Sequence, residues 1–176
     1  MAILPYQKIL PSINKSAYIA SSADIIGKVS IEAHASIWPM SVVRGDVNTI
    51  TIGENTNIQD GSVLHVTHDG PHSPGGLPLI IGCGVTVGHK ALLHACTIND
   101  DVLIGMGAIV MDGVTIESNV IVGAGSLVPP GKTCESGYLW LGNPAKPVRK
   151  LTDKEIEHIR YSAQYYKQLK NNYLND

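Results

Sequence analysis

Three histidines of the chain have a spacing that suits a shared metal ion. His65 and His94 each directly follow a leucine, and His89 lies five residues before His94. Neutral imidazoles are common ligands of Zn²⁺, and a catalytic site with three protein ligands keeps one coordination position for water. The metal lowers the pKa of that water to about 7 and so supplies a hydroxide at neutral pH. These residues predict a metal-hydroxide site, provided that the fold brings them together.

A six-residue repeat indicates the elements that would position the histidines. A second series of mostly small residues lies two positions before the aliphatic series. Such a period indicates short strands joined by corners and stacked so that equivalent residues lie above one another. The 18 aliphatic positions are Ile13, Ile19, Ile25, Ile31, Ile37, Val43, Ile52, Ile58, Leu64, Ile81, Val87, Leu93, Ile98, Ile104, Val110, Ile116, Val122 and Val128.

The predicted fold is an all-β parallel β-helix of hexapeptide repeats, which we expect over residues 1–134. Three hexapeptides form each coil of a triangular prism, so the repeat predicts about six coils. An ordinary sandwich of short strands is the alternative. It is disfavoured because sandwich strands would not keep one register over so many units.

Two segments depart from the repeat. Residues 67–79 carry three prolines and three glycines and are predicted to form a loop extruded from one corner. Residues 135–176 are predicted to form a proline-rich connector and a C-terminal α-helix packed alongside the prism. Thr152 and Glu155 have the spacing of a capping box, which would start that helix, and an apolar stripe follows them.

The register of the repeat assigns the histidines to faces of the prism. Counting hexapeptides places His65 and His94 in the same slot of one face, called face b, and His89 on the preceding face, called face a. Stacked strands lie about 4.8 Å apart, so the two imidazoles on face b can share one ion. His89 can join them only across a threefold axis. The pattern predicts a homotrimer with three metal sites, each built from two chains.

Further polar residues fall into the same columns. Arg44 lies one coil below His65 on face b, and Gln59 and Asp60 lie one coil below His89 on face a. Arg44 and Asp60 could therefore pair across the predicted interface, where a bidentate arginine–carboxylate pair fixes geometry well. A purely structural ion pair that holds the trimer is the alternative interpretation.

Four stretches of the sequence resemble the γ-class carbonic anhydrase family, and in particular its small bacterial branch of hexapeptide-repeat proteins. The resemblance covers nearly the whole chain and implies a left-handed β-helix. The three-histidine pattern is specific, whereas the repeat alone is shared with acyltransferases. The stretches are VVRGD (42–46), IQDGSVLH (58–65), VGHKALLH (87–94) and GNPAKPVR (142–149).

The resemblance also implies roles for individual residues. His65, His89 and His94 would bind Zn²⁺, or Fe²⁺ or Co²⁺ in its place. Arg44 and Asp60 would form an intersubunit ion pair. Gln59 would orient the metal-bound hydroxide, and Asp46 would lie beside it. The implied activity is the reversible hydration of CO2 to bicarbonate by a lyase.

The chain departs from the family at two places that concern proton transfer. Val47 stands where the proficient members carry a glutamate directly after RGD, and the loop 67–79 lacks their acidic character. His68 and His72 in this loop are candidates for carrying the proton, because an imidazole titrates near neutral pH. Simple solvation of both side chains in the loop is an equally good interpretation.

The composition excludes several classes of function. The net charge is −2, with no basic excess that would point to nucleic acid, and no apolar run reaches the length of a membrane span. Three cysteines do not make a disulfide framework, which favours a reducing, cytoplasmic location.

Two other functions remain open at this stage. The first is a CoA-dependent acyltransferase or thioesterase of the hexapeptide-repeat superfamily, and the second is a metal-binding trimeric scaffold without catalysis. The acyltransferase needs only one histidine as a general base, so the cluster of three argues against it.

Overall fold

The computed structural model describes residues 2–175, and these form a parallel β-solenoid with one C-terminal helix. The strands lie in two sheets that make up three faces, because one sheet of 12 strands bends to cover two of them. The fold class predicted from the repeat is confirmed.

Face a is a stack of strands in the chain order of successive coils. Its strands are β3 (Tyr18–Ile19), β5 (Ser36–Ile37), β7 (Asn57–Ile58), β10 (Thr86–Val87), β13 (Leu103–Ile104), β16 (Ile121–Val122) and β19 (Tyr138–Gly142), with β20 (Ala145–Lys150) at the end.

Face b and the third face, face c, are joined by two long strands that run through both, β4 (Asp24–Ile31) and β6 (Val42–Ile52). The other strands of face b are β1 (Ala2–Leu4), β8 (Val63–His65), β11 (Leu92–His94), β14 (Ile109–Val110) and β17 (Leu127–Val128). The other strands of face c are β2 (Ser12–Ile13), β9 (Leu79–Ile81), β12 (Thr97–Ile98), β15 (Thr115–Ile116) and β18 (Thr133–Cys134).

The core is the column of aliphatic residues that the six-residue period marked. All of the predicted positions are buried except Ile13 and Ile19, which lie near one end of the stack. Each layer pairs with the equivalent residue of the next coil, as Ile37 does with Ile58 and Val87 with Ile104. Branched aliphatic side chains suit these positions because they pack well on a pleated surface and need little depth.

The repeat continues beyond the last position that the sequence pattern identified. Cys134 and Trp140 occupy the next two inward positions and are almost completely buried. The segment predicted as a proline-rich connector contains an antiparallel hairpin of β19 and β20. A cysteine and a tryptophan at inward positions hid the repeat, because neither belongs to the aliphatic series.

The loop at residues 67–79 separates β8 from β9 and is closed at its base. The backbone amide of Thr67 donates to the Leu77 carbonyl, and the amide of Leu77 donates to the Thr67 carbonyl, both at 3.0 Å. Gly70 and Ser73 pair in the same way nearer the tip. The loop therefore has a defined position beside the ends of β8 and β11.

The C-terminal helix, α1 (Asp153–Asn175), begins at the capping box that the sequence predicted. The amide of Glu155 donates to the Thr152 hydroxyl at 3.3 Å, and the amide of Thr152 donates to the Glu155 carboxylate at 2.9 Å. The helix packs against face a at β5, β7 and β10. Among residues 2–175, no helix combines the length and the hydropathy that spanning a membrane requires.

Aromatic side chains fill the contact between α1 and face a. The ring of Trp38, which is 4% exposed, lies 5.4 Å from Tyr166 and 5.2 Å from Tyr173 of the helix. The ring centroid of Tyr18 lies 5.3 Å from that of Trp38 and 5.6 Å from that of Tyr173. The helix therefore covers part of face a, to which the register assigned Gln59 and Asp60.

Candidate metal centre

Two histidines converge at the end of face b. His65 ends β8 and His94 ends β11, and the two residues pair directly in the parallel sheet, which is the register that the repeat predicted. The Nδ1 atom of His65 lies 3.1 Å from the Nε2 atom of His94. Two nitrogens bound to one tetrahedral Zn²⁺ at about 2.0–2.1 Å would lie about 3.3 Å apart. The spacing of these two ring nitrogens therefore fits ligation of one metal ion.

A carboxylate holds the far nitrogen of His65. Its Nε2 lies 3.0 Å from Oδ1 of Asp46, and the other oxygen of Asp46 accepts a hydrogen bond from Arg44. Burial works to raise the pKa of Asp46, but the hydrogen bonds from His65 and Arg44 outweigh it and hold the pKa below its usual value. Asp46 is therefore an anion at neutral pH and accepts the Nε2 proton of His65.

The local environment favours the neutral form of His65. Burial lowers the pKa of His65, and the positive charge of Arg44 lowers it further, against the opposing effect of Asp46. A neutral imidazole with a proton on Nε2 has its free lone pair on Nδ1, which is the atom that faces His94. Because only the unprotonated nitrogen can bind a metal ion, the site presents His65 in a form ready for ligation.

A second carboxylate, Asp112, holds His94 in the same manner. The Nδ1 atom of His94 donates to Oδ1 of Asp112 at 2.6 Å, which leaves the lone pair of Nε2 directed towards His65. The sequence analysis missed Asp112. The pattern that could have indicated Asp112 is its position two residues after Val110, in the turn after β14, one coil beyond His94.

The two imidazoles therefore point two lone pairs at the same place. When both imidazoles are neutral, each donates its one N–H to a carboxylate, so the facing nitrogens of His65 and His94 repel each other unless a proton or a cation lies between them. Histidine ligands of metals usually donate their other N–H to a carboxylate or carbonyl in this way. The residues present thus fit a divalent metal of the Zn²⁺ type.

His89 lies at the opposite edge of the same face. It occupies the turn between β10 and β11, so it lies at the corner of faces a and b rather than on face a itself. Its Nδ1 is 2.9 Å from Oδ2 of Asp60, and the imidazole is 42% exposed. Strand β11 separates it from His94. Within residues 2–175 of one chain, no three His, Cys, Asp or Glu side chains come together as a metal site.

The ion pairs within one chain differ from the pair that the sequence predicted across an interface. Arg44 donates to Asp46, and Asp60 contacts His89. Three histidines thus have three carboxylate partners in one chain. The pairing of Arg44 with Asp60 between subunits stays a prediction.

A chain of hydrogen bonds fixes Gln59 beside His89. The Nε2 of Gln59 donates to Asn57 at 3.1 Å, Asn57 donates to the Thr86 hydroxyl at 3.0 Å, and that hydroxyl donates to Ser162 of α1 at 3.0 Å. Gln59 is 5% exposed and lines a groove of about 350 Å³ together with His89. Because one amide proton is engaged by Asn57, the orientation of the Gln59 amide in the groove is set.

Comparison with known proteins identifies the family. The model of the "Bacterial transferase hexapeptide (six repeats)" family matches residues 95–130. "Protein YrdA" of Escherichia coli is 51% identical over 170 residues, which cover 97% of this chain and 92% of that protein. A "Carbonic anhydrase" of Geobacillus kaustophilus is 49% identical over 174 residues and covers 95% of this chain and 92% of its own length.

A solved structure agrees over the whole fold. The hexapeptide transferase family protein from Anaplasma phagocytophilum superimposes with a TM-score of 0.91 at 44% identity, and the match covers 98% of both chains. The chain belongs to the γ-carbonic anhydrase-like family of hexapeptide-repeat proteins. The resemblance stated from the sequence is confirmed.

The two departures from the family pattern lie close to the histidine pair. Val47 follows Asp46 on β6, and its side chain is 40% exposed. His68 and His72 lie in the loop 67–79 and line a cavity of about 330 Å³ that Asp112 also lines. The structure thus places both loop histidines near the carboxylate partner of His94, at exposed positions.

Proposed function

We propose that the chain is a metal-dependent lyase of the γ-carbonic anhydrase type that interconverts CO2 and bicarbonate at the interfaces of a homotrimer. The observation that carries the proposal is that Nδ1 of His65 lies 3.1 Å from Nε2 of His94, while the other ring nitrogen of each histidine contacts a carboxylate. A metal such as Zn²⁺, when bound, would lower the pKa of a coordinated water to about 7 and so supply the nucleophile for CO2.

The third ligand in this proposal is His89 of a neighbouring protomer. Its free Nε2 is exposed at the corner of faces a and b, whereas the histidine pair lies at the other edge of face b. Two protomers related by a threefold axis can bring unlike edges together, and closure of the ring repeats the contact three times. The site is incomplete in one chain and complete in such a trimer.

The outward side chains of the three faces support this assembly. Face c presents mostly hydroxyl groups, whereas face b presents a column of aliphatic side chains that pair from coil to coil. The column on face b is Val42, Val63, Leu92, Ile109 and Leu127. Val63 and Leu92 are 41% and 39% exposed in one chain. Such a stripe across five strands indicates a surface that another chain covers.

The groove on face a offers the complementary surface. Helix α1 packs mainly against β5, β7 and β10, and the groove above these strands is lined by Leu103, Met106 and Ile121 beside His89 and Gln59. Met106 is 58% exposed. We infer that the aliphatic column of one protomer packs beside this groove in the next.

The other residues of this chain would bind and orient the reactants. Gln59 would direct its amide group towards the reacting oxygen, because its hydrogen bond to Asn57 fixes the amide. Asp46 and Asp60 would keep His65 and His89 in the tautomers that bind a metal, and Arg44 would hold Asp46. His68 and His72 would take the proton from the site to the solvent.

Replacing His94 by alanine tests the proposed site directly. The variant should lose most of its bound metal, its CO2 hydration and part of its trimer stability, because each ligand contributes binding free energy that is also assembly free energy. Metal content is measured by elemental analysis, hydration by stopped-flow spectrophotometry and assembly by light scattering. The matched control is His158→Ala on the outer helix, which should behave like the wild type. Full metal occupancy in His94→Ala would refute the assignment.

Acyl transfer or thioester hydrolysis is the second candidate, because the matched Anaplasma protein is described as a hexapeptide transferase family protein and the groove beside His89 is largely apolar. Assays with a CoA thioester on the same metal-loaded sample separate these activities from CO2 hydration. Metal binding without either activity would leave the scaffold interpretation, which the substitution at Val47 keeps open.

A further inference from the structure

We propose that Asp112 and Thr67 form a positioning pair that fixes the tautomer and orientation of His94. The inference rests on the proposed function, in which His94 is a metal ligand. Asp112 comes from the turn after β14, and Thr67 is the first residue of the loop after β8. Neither residue belongs to the set of site residues that the sequence predicted.

The two carboxylate oxygens of Asp112 accept hydrogen bonds from different residues. Oδ1 accepts the Nδ1 proton of His94 at 2.6 Å, and Oδ2 accepts a hydrogen bond from the hydroxyl of Thr67. With both oxygens engaged, the carboxylate cannot rotate without losing a hydrogen bond. The lone pair on Nε2 of His94 is thereby kept on the side that faces His65.

Thr67 is itself held on three sides. Its backbone forms two hydrogen bonds with Leu77 at 3.0 Å, and its carbonyl accepts a third from the side chain of Asn48 at 3.2 Å. Its side chain is therefore directed at Asp112 by the closed base of the loop. The base of this loop supports a ligand, whereas the candidate proton carriers His68 and His72 lie farther along it.

The support of His94 differs chemically from that of His65. Asp46, the partner of His65, also pairs with the cationic guanidinium of Arg44, whereas the second partner of Asp112 is the neutral hydroxyl of Thr67. The negative charge of Asp112 is thus directed mainly at the imidazole of His94, and a carboxylate partner raises the basicity of a ligating histidine.

The test uses Asp112→Ala, Thr67→Val, the double variant and the conservative Thr67→Ser. Matched controls are Asp24→Ala, a partly buried aspartate on the same face, and Thr97→Val, a partly buried threonine on face c. Two properties are measured on the trimer. One is the Zn²⁺ affinity by chelator competition, and the other is the tautomer of His94 in metal-free protein by ¹⁵N NMR of the imidazole.

The expected results are specific to this pair. Asp112→Ala should weaken Zn²⁺ binding about 10- to 100-fold and give a mixture of His94 tautomers. Thr67→Val should produce a smaller loss of the same kind, Thr67→Ser should restore it, and the double variant should be no weaker than Asp112→Ala. The two controls should keep the wild-type affinity.

Three outcomes would overturn the inference. They are a wild-type His94 that carries its proton on Nε2, an Asp112→Ala variant with unchanged affinity and tautomer, and losses that add in full in the double variant. If Asp112→Ala does not fold, the Thr67→Val and Thr67→Ser comparison still decides. A wild-type protein that binds no metal would refute the proposed function, whereas the NMR measurement on metal-free protein would still test the pair.

Discussion

Each of the three candidate metal ligands contacts an aspartate, which leaves the other ring nitrogen available to bind a metal ion. His65, His89 and His94 each have one ring nitrogen on an aspartate, and the other nitrogen is left for a partner. In His65 and His94 these other nitrogens, Nδ1 and Nε2, face each other. The imidazole of His89 is exposed at a corner of the solenoid, where the proposed trimer would bring a metal ion to it.

Arg44 and Asp60 allow a prediction at the scale of single residues. If they pair between protomers, Arg44→Ala and Asp60→Ala should each lower the melting temperature of the trimer, and the double variant should be little worse than either. The loss should be up to about 3–5 kcal/mol if the trimer buries the pair, and below about 1 kcal/mol if it stays exposed. The measurement is a double-mutant cycle by thermal denaturation at pH 7.

The contacts within one chain lead to a different expectation for the Arg44 and Asp60 variants. Arg44 already holds Asp46, and Asp60 already holds His89. If these contacts within the chain are the whole role of the two residues, the effects of the single variants will add, because the two sites would then be independent. Full additivity would contradict an intersubunit ion pair.

Among the elements, the strands of the solenoid position the histidines, whereas the loop 67–79 and helix α1 lie outside the repeat. The loop 67–79 is inserted at the end of the strand that carries His65, so the register of the next coil is preserved and His94 still pairs with His65. Helix α1 covers the lower part of face a and reaches Gln59 through Ser162 and Thr86.

The start of helix α1 gives a prediction about pH. Hydrogen bonds from Arg149 and from Thr152 lower the pKa of Glu155 from 4.5 to about 2. Because the pKa is lowered in the folded protein, the stabilisation is complete above about pH 4.5 and is lost as the pH falls towards 2. Glu155→Gln should therefore melt at a lower temperature than the wild type at pH 6, and the difference should narrow at pH 3.

Circular dichroism of the thermal transition at several pH values measures this difference. The control is Glu157→Gln, two residues farther along the exposed side of the same helix. A difference between the wild type and Glu155→Gln that stays constant from pH 6 to pH 2.5 would show that the contacts of Glu155 do not contribute through its charge.

The loop gives a second prediction at this scale, which concerns the proton released by CO2 hydration. The glutamate of proficient family members is replaced by Val47, so proton export should limit turnover, and imidazole buffer should raise the rate by carrying protons in its place. His68→Ala and His72→Ala should lower the rate without buffer and leave CO2 capture nearly unchanged.

Stopped-flow assays at increasing imidazole concentration separate these steps. The two variants should regain the wild-type rate at high buffer, because the added imidazole replaces the lost proton carrier. If metal-loaded wild type shows no hydration even in concentrated imidazole, proton export is not the obstacle, and thioester hydrolysis or a scaffold role becomes the better interpretation.

At the scale of the whole molecule, the faces of the prism have different surroundings. Face c presents mostly hydroxyl groups, face a is partly covered by α1, and face b presents the aliphatic column, which runs beside the histidine pair. Leu92→Glu should therefore dissociate the trimer and reduce metal content, because it places a charge in the proposed interface.

Light scattering combined with elemental analysis tests this change. The matched variant is Thr97→Glu, which carries the same charge on face c and should remain trimeric with metal bound. A trimer of Leu92→Glu as stable as the wild type would place the interface elsewhere on the molecule.

The six-residue period of the sequence, and the register that it sets, were enough to predict part of the structure. A six-residue period fixes which side chains face inward, and the count of hexapeptides fixes which residues pair between coils. The core, the pairing of His65 with His94, and the capping box at Thr152 could therefore be predicted from spacing alone.

Which side chains support the site depends on contacts between residues that lie far apart in the sequence. Asp112 and Thr67 are 45 residues apart, and no local pattern links a turn on one coil with the base of a loop on another. The hairpin after Cys134 was also hidden, since Trp140 fills an inward position without being aliphatic. Helix α1 was expected alongside the prism, but the face that it covers depends on the fit of Tyr18 and Trp38 against the helix tyrosines. Such contacts depend on three-dimensional shape, which a one-dimensional repeat does not encode.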